Sequence, residues 1–323
     1  MNLYRRQMLL ALGATALTAP TTALAQAWPA RPIRLVVPFP PGGLIDTMAR
    51  LIGPRLAQEV GQPVVIENKP GAGGNIGAAE VARATPDGYT LLMASPPLTI
   101  SPALYATLPY KPEQITPVGL IGRVPNVLLV SPKSGINTVA DLVAGARKAP
   151  GQLNYASNGN GTSLHLSAEL FKTTTGTFIT HIPYRGAGPA LNDTVAGQVP
   201  IIFDNMPSAL PFINTGKLIP IVVAAPQRLT QLPNVPTFKE VGLEPVNRMA
   251  YYGIYGPKGL PKEVVDKING GVKKALEDPA VRKRIEDTGS LIVANTPDQF
   301  AAQIKAEYDV YKKVVDQSKL KLD

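Results

Sequence analysis

Short apolar runs that end in a Pro/Gly loop and pass directly into a helical pattern recur along this chain. That alternation restricts its possible folds more than any other feature. Residues 34–50 set the pattern. Arg34-Leu35-Val36-Val37 is a strand, residues 38–43 form a hinge of prolines, one aromatic and two glycines, and a helix is expected to start near Asp46 with that carboxylate as its N-cap. A helix start presents unpaired backbone N–H groups and the positive end of the macrodipole, so such a loop attracts carboxylates and phosphates without a cationic side chain. Gly42 and Gly43 let a ligand approach the backbone closely.

The same construction returns downstream. Residues 64–68 read as a strand, 69–74 as a Gly-rich loop and 75–84 as a helix; 89–94 is a strand running into Ser95-Pro96-Pro97. Residues 118–130 form a longer extended stretch interrupted by Pro125, followed by a helix over 139–148. The second half repeats the plan with strands at 153–157, 178–183, 201–204 and 218–224, a helix over 163–172, and Pro189 as a first helical residue. A Pro-rich connection (229–247) leads to a strand at 249–255. Helices then follow at 261–275, 279–287 and 297–318, the last with Phe300, Ile304, Tyr308, Tyr311 and Val315 as a core-facing stripe. Short apolar strands alternating with helices predict α/β architecture, with mostly parallel sheets covered on both faces.

The first 25 residues stand apart. Arg5-Arg6, an apolar run over 8–19 and Ala23-Leu24-Ala25 make a cleavable secretory signal, with Gln26 as the mature start, because the run is too short to cross a bilayer. The paired arginines leave both the general and the twin-arginine export routes open. The formal charge of +9 falls to +7 once Arg5 and Arg6 leave. The remaining lysines and arginines are dispersed or interleaved with acids, which argues against nucleic acid. With no cysteine there is no disulfide, thiolate metal site or cysteine nucleophile.

Catalytic apparatus is sparse. Of the two histidines, His165 lies four residues before Glu169, a lone pair without a third metal ligand. Gly161-Thr162-Ser163-Leu164-His165 lacks the final glycine of a nucleophile elbow. Residues 71–76 lack the third glycine of a dinucleotide fingerprint, and no Gly-rich loop is followed by the Lys-Ser/Thr of a P-loop. No enzyme, cofactor or metal is nominated. The loops themselves are the candidate site, since in parallel sheets ligands bind beyond the carboxyl ends of the strands.

Val36-Val37-Pro38-Phe39-Pro40-Pro41-Gly42-Gly43 with Asp46, Glu67-Asn68-Lys69-Pro70-Gly71-Ala72-Gly73-Gly74, Pro86-Asp87-Gly88-Tyr89-Thr90-Leu91-Leu92, Tyr155-Ala156-Ser157, Ile182-Pro183-Tyr184-Arg185-Gly186 and Pro233-Asn234-Val235-Pro236-Thr237 together resemble the tripartite tricarboxylate transporter substrate-binding proteins, the Bug receptors. The resemblance covers essentially all of the chain after the leader. It implies a periplasmic, monomeric, two-lobed Venus flytrap with two crossing strands. Lobe 1 would be residues 26–128 plus 250–323, and lobe 2 residues 129–249. A small carboxylate would be held between the lobes by backbone amides, small polar side chains and water, then passed to a membrane permease; a runner-up reading gives the liganded state to a sensor kinase instead. By that likeness the ligand-binding residues are Phe39, Pro41, Gly42, Gly43, Asp46, Gly74, Asn75, Ser95, Ser157, Asn158, Gly159, Thr162, Tyr184, Arg185, Gly186, Ala187 and Asp204. Two departures stand out: Leu44-Ile45 where relatives carry small or hydroxylated residues, and Tyr251-Tyr252 where a tryptophan is common. Leu44 and Ile45 beside the pocket would favour an aromatic or longer aliphatic carboxylate.

Overall fold

The computed structural model describes residues 28–322; the expected leader and its cleavage point lie outside them. Two sheets organise the chain. The first has six strands in the order β11-β4-β10-β3-β1-β2 and the second five in the order β7-β6-β8-β5-β9. The strands are β1 (Ile33–Val37), β2 (Val64–Asn68), β3 (Thr90–Ala94), β4 (Ile115–Val124), β5 (Asn126–Val130), β6 (Asn154–Ser157), β7 (Thr180–Pro183), β8 (Ile201–Asn205), β9 (Ile219–Ala224), β10 (Ala250–Pro257) and β11 (Leu291–Ile292). The helices are α1 (Leu44–Val60), α2 (Asn75–Ala82), α3 (Pro97–Leu104), α4 (Val139–Lys148), α5 (Ser163–Thr175), α6 (Ala187–Ala196), α7 (Met206–Asn214), α8 (Lys262–Glu277), α9 (Pro279–Glu286) and α10 (Pro297–Ser318).

Parallel pairing holds for β2-β1-β3 and for β7-β6-β8, the strands that end in the candidate loops. The expectation of mostly parallel sheets needs correcting, because β4, β10 and β11 in one sheet and β5 and β9 in the other pair antiparallel, so both sheets are mixed. The cause is the crossing. The chain leaves the first sheet at Val124, turns through Pro125 into β5 of the second, and returns from β9 to β10, so each sheet receives a strand from the other side. Proline lacks the N–H that would continue a ladder, which suits the changeover point.

The central strands of both sheets are buried on both faces, and the apolar runs show why. Along β1, Ile33, Leu35 and Val37 enter one core and Val36 enters the core on the opposite face; β3 divides Leu91 and Met93 from Leu92 and Ala94 in the same way. In the second sheet Leu128 and Val130 face one core, Val127 and Leu129 the other. Each such side chain contributes about 1.5–3 kcal/mol on burial, and this sets the strand ends as fixed platforms for the loops. A smaller cluster joins the lobes: Ile100 and Leu104 of α3, Leu166 of α5, and Tyr311 and Val315 of α10 pack together, so the last helix spans both.

Helix boundaries follow the caps. In α4, Thr138 and Asp141 form a reciprocal capping box, and Thr296 with Gln299 does the same for α10. Helix α1 begins at Leu44, two residues before the expected start, with Gly43 as N-cap. Helix α6 begins at Ala187, so Pro189 stands at its third position and not its first. Helix α3, over Pro97–Leu104, was not anticipated: Pro96, Pro97 and Pro102 read as breakers, yet the first two sit where a helix start tolerates proline.

Candidate functional site

In lobe 1, three loops meet beyond the carboxyl ends of β1, β2 and β3. After β1, Asp46 is only 3% exposed. It accepts from the Gly42 N–H (2.9 Å), from Asn68 Nδ2 (2.9 Å) and from Arg50 Nε (3.0 Å), while Asn68 also donates to the Phe39 carbonyl (3.0 Å). Asp46 is therefore not the N-cap of α1 as expected. It is the third helical residue, reaching back to hold the hinge against the helix. Burial pulls its carboxyl upward, but the bonds from Arg50, Gly42 and Asn68 outweigh that and hold it below the usual range.

After β2, Gly71, Ala72, Gly73 and Gly74 have φ of 133°, 47°, 64° and 99°. Four consecutive left-handed residues explain the three glycines, because only glycine takes this region without steric cost. The turn delivers Asn75 to the start of α2, 3% exposed, where its Oδ1 accepts from the Tyr110 hydroxyl (3.2 Å). With the oxygen so occupied, the amide Nδ2 is left to donate. Beyond β3, the Ser95 hydroxyl has no hydrogen-bond partner among the described residues. Asn75 and Ser95 share a small pocket with Pro38, Phe39, Gly73, Gly74, Ala78, Leu92, Ala94, Pro97 and Leu98. The enclosed space is small, with room for about one water-sized group, so it takes at most one end of a ligand. Tyr110 and the α3 residues were missed from the sequence, since nothing near them marks a loop of the recurring type.

The structure moves several assigned contacts. The Gly42 N–H is spent on Asp46 and the Gly74 N–H on the Gly71 carbonyl (2.9 Å), which leaves the exposed Gly43 and the first turn of α1 as the open donors there. Pro41 is exposed beside them. Ile45 is buried in the core and Leu44 packs against that core, so neither forms the apolar wall expected of them; Phe39, Leu92, Pro97 and Leu98 do. Tyr251 and Tyr252 lie in the cores on opposite faces of β10, with the Tyr251 hydroxyl bonded to Thr99 of α3.

In lobe 2 the loops after β6, β7 and β8 come together. Ser157 is fully buried, its hydroxyl within 2.7 Å of His181 Nε2 and accepting from the Gly159 N–H (3.2 Å). Thr162 caps α5 by accepting from the His165 N–H, and donates to the Gly159 carbonyl (2.8 Å). Both hydroxyls thus shape the loop from beneath. Asn158 carries a buried Oδ1 without a partner. The Tyr184 hydroxyl donates to Asp193 (2.7 Å), and burial and that carboxylate push its pKa up to about 12. Arg185 is exposed and unpaired among the described residues, next to Gly186 at the N-cap of α6 and Ala187 in its first turn. Asp204 is 1% exposed, accepting from the Asn205 N–H (2.8 Å) and the Ser208 hydroxyl (2.9 Å). Burial pushes its carboxyl up to about 7 against those two bonds.

A larger groove on lobe 2 runs between α4, the end of α5 at Thr174 and Thr175, and residues 234–243. It contains none of the expected site residues and lies at the far end of α5 from Thr162, roughly 20 Å along the helix.

A family model described as tripartite tricarboxylate transporter family receptor matches residues 48–320. The chain belongs to that family. It is similar to protein BugT of Bordetella pertussis, 38% identical over 301 residues covering 92% of each chain. Among solved structures it is similar to the R. palustris protein Rpa4515 with adipate, at 35% identity and a TM-score of 0.84, covering 91% of this chain and 99% of that one. It is likewise similar to MatC from Rhodopseudomonas palustris with bound malate, at 35% identity and a TM-score of 0.81, covering 89% of this chain and all of that one. As a receptor of this family the protein has the two-lobed periplasmic-binding fold, which accounts for paired sheets whose loops carry neutral donors. Among its described residues no helix is long and apolar enough to cross a membrane.

Proposed function

We propose that this receptor captures a small carboxylate between its lobes in the periplasm, without turning it over, and hands it to a permease of the tripartite tricarboxylate type. The observation that carries the reading is the lobe 1 pocket, where the Asn75 amide, set by Tyr110, and the free Ser95 hydroxyl stand at helix starts over an apolar wall. Hydrogen bonds from neutral donors to a charged group contribute roughly 1.5–3 kcal/mol each, so a few hold a carboxylate without a buried cation. Gly43 and the first turns of α1 and α6 supply more donors, and Arg185 adds a peripheral charge. Asp46, Ser157, Thr162 and Asp204 act by shaping the loops. The adipate and malate in the two R. palustris proteins support the ligand class.

The lobes in this reading are residues 26–128 with 250–323, and 129–249, working as a monomer. The changeovers through Pro125 and between β9 and β10 serve as the hinge. Export by a leader cleaved before Gln26 completes the proposal, and N-terminal analysis of periplasmic protein checks it. Mass spectrometry of what copurifies, followed by calorimetry with malate, adipate and aromatic carboxylates, tests the function. Return of the bound acid unchanged and a smaller radius of gyration on saturation are expected; release of an altered product would reject the receptor reading.

A further inference from the structure

The lobe 2 loop after β6 is tied at both ends to histidines, buried His165 and half-buried His181, that capture by neutral donors does not itself require. At its start, Ser157 Oγ lies 2.7 Å from His181 Nε2. At its end the Gly161 N–H donates to His165 Nδ1 (3.3 Å). The two imidazoles stack with centroids 4.2 Å apart and planes 12° from parallel, and Tyr155 covers His181 at 4.8 Å. Beside the stack, Glu169 Oε1 is 3.8 Å from His165 Nε2 and accepts from the Tyr155 hydroxyl (3.1 Å). Lys172 Nζ donates to both Glu169 oxygens, at 2.7 and 2.9 Å.

An imidazole nitrogen that accepts from a backbone N–H carries no proton, so His165 holds Gly161 only as the neutral ring with its proton on Nε2. A second proton would set N–H against N–H, and two cationic rings stacked at this distance would repel. At the other end, Ser157 Oγ also accepts from the Gly159 N–H, so the state of His181 reaches the loop through that hydroxyl. We propose that the stacked His165–His181 pair is the positioning device of the lobe 2 ligand loop, holding residues 157–161 in shape while both rings are neutral and releasing them on protonation. This rests on reading the loop as half of the carboxylate site. Burial, then Lys172, holds His165 down to about 4. Burial, then His165, holds His181 down to about 3, with Glu169 pulling upward and Lys172 downward. The loop therefore keeps its shape at neutral pH and loosens in acid.

Amide hydrogen exchange of Gly159 and Gly161 in the whole protein, corrected for the intrinsic pH dependence of exchange and measured with histidine ring titration, tests this. His165→Asn places a non-titrating acceptor where Nδ1 was, and His181→Gln does the same for Nε2. In the wild type, Gly161 protection should fall severalfold between pH 7 and pH 4 as the rings begin to titrate. His165→Ala should lose about tenfold in protection already at pH 7, whereas His165→Asn should retain it and stay flat to pH 4. Unchanged protection in His165→Ala, or the wild-type profile persisting in the His165→Asn/His181→Gln double variant, would overturn the proposal; if the alanine variant does not fold, the double variant decides. Malate and adipate titrated into the same samples test the receptor reading separately, because the loop measurement needs no ligand.

Discussion

Two buried aspartates, one beneath each set of loops, have their pKa values shifted in opposite directions. Asp46 in lobe 1 and Asp204 in lobe 2 are almost equally hidden, at 3% and 1% exposure. Arg50 and Asn68 reach Asp46 and hold it ionised, while Asp204 has only the Asn205 N–H and the Ser208 hydroxyl and is pushed up to about 7. Both are hidden from solvent, but Asp204 lies far deeper in the protein, so greater desolvation and fewer compensating partners together raise it while Asp46 is held down. The contrast extends outward. Behind the lobe 1 pocket the other polar groups are neutral, Asn75, Tyr110, Thr99 and Tyr251, whereas lobe 2 concentrates His165, His181, Glu169, Lys172 and Asp204. The lobe 1 pocket is lined by neutral groups, while lobe 2 places titratable ones beneath its loop.

The sharpest way to break this comparison is to block lobe 1 alone. At Gly43 an added Cβ would meet nothing nearer than the Pro40 carbonyl at 3.8 Å, and the backbone there is extended, so Gly43→Leu should cost no more than the loss of a favoured N-cap residue, about 1 kcal/mol, and lower the melting temperature by a few degrees. Its side chain occupies the approach to the α1 start. Carboxylate affinity by calorimetry should fall on the order of a hundredfold, about 2.7 kcal/mol.

Next comes the anchoring of the hinge. Asp46→Ala strands the Gly42 N–H and the Asn68 amide, and should cost about 2 kcal/mol by urea denaturation, with the midpoint lowered and the slope unchanged. Because the folded value of Asp46 is depressed, its contribution is present above the unfolded value and lost as pH falls through the folded one. The wild-type advantage over this variant should shrink in acid.

Asp204→Asn should behave the opposite way. A carboxyl whose folded value is raised binds its proton more tightly in the native state, so stability is lost as pH rises from the unfolded value near 3.8 through about 7. The asparagine variant should gain on the wild type at pH 8 relative to pH 5, by a few degrees in a thermal scan. Equal differences at both pH values would mean that Asp204 is not buried as an acid.

The smallest effect is expected at Arg185, the one cation within the lobe 2 candidate loops. Arg185 is exposed, and exposed charges contribute about 1 kcal/mol or less. Arg185→Ala should weaken carboxylate binding by less than about fivefold and make it less sensitive to salt; abolition of binding would reject capture by neutral donors.

How much was legible in the sequence can be judged element by element. Helices α4 and α10 fall where their Thr138/Asp141 and Thr296/Gln299 caps and apolar spacing place them. The strand ends and the loops that follow them were readable because β1, β3, β6 and β8 are apolar runs closed by glycine, proline or asparagine. Helix α3 was hidden by its prolines, and β11 by having only two residues. Within the loops the residue types were visible but the direction of each hydrogen bond was not. That Gly42 gives its N–H to Asp46, that Ser157 turns down onto His181, and that Ile45 belongs to the core all depend on partners brought in from other elements.

Local pattern by itself determined the alternation of strands and helices, the glycine-bearing loops and the near absence of catalytic groups, because propensity, capping and periodicity act over a few neighbouring residues. Only the tertiary structure decided which donors stay open, why Asp46 and Asp204 differ, and that His165 and His181, sixteen residues apart, stack face to face under one loop. Each of those outcomes is set by burial and by a partner on another element, and neither is written in the spacing of the residues concerned.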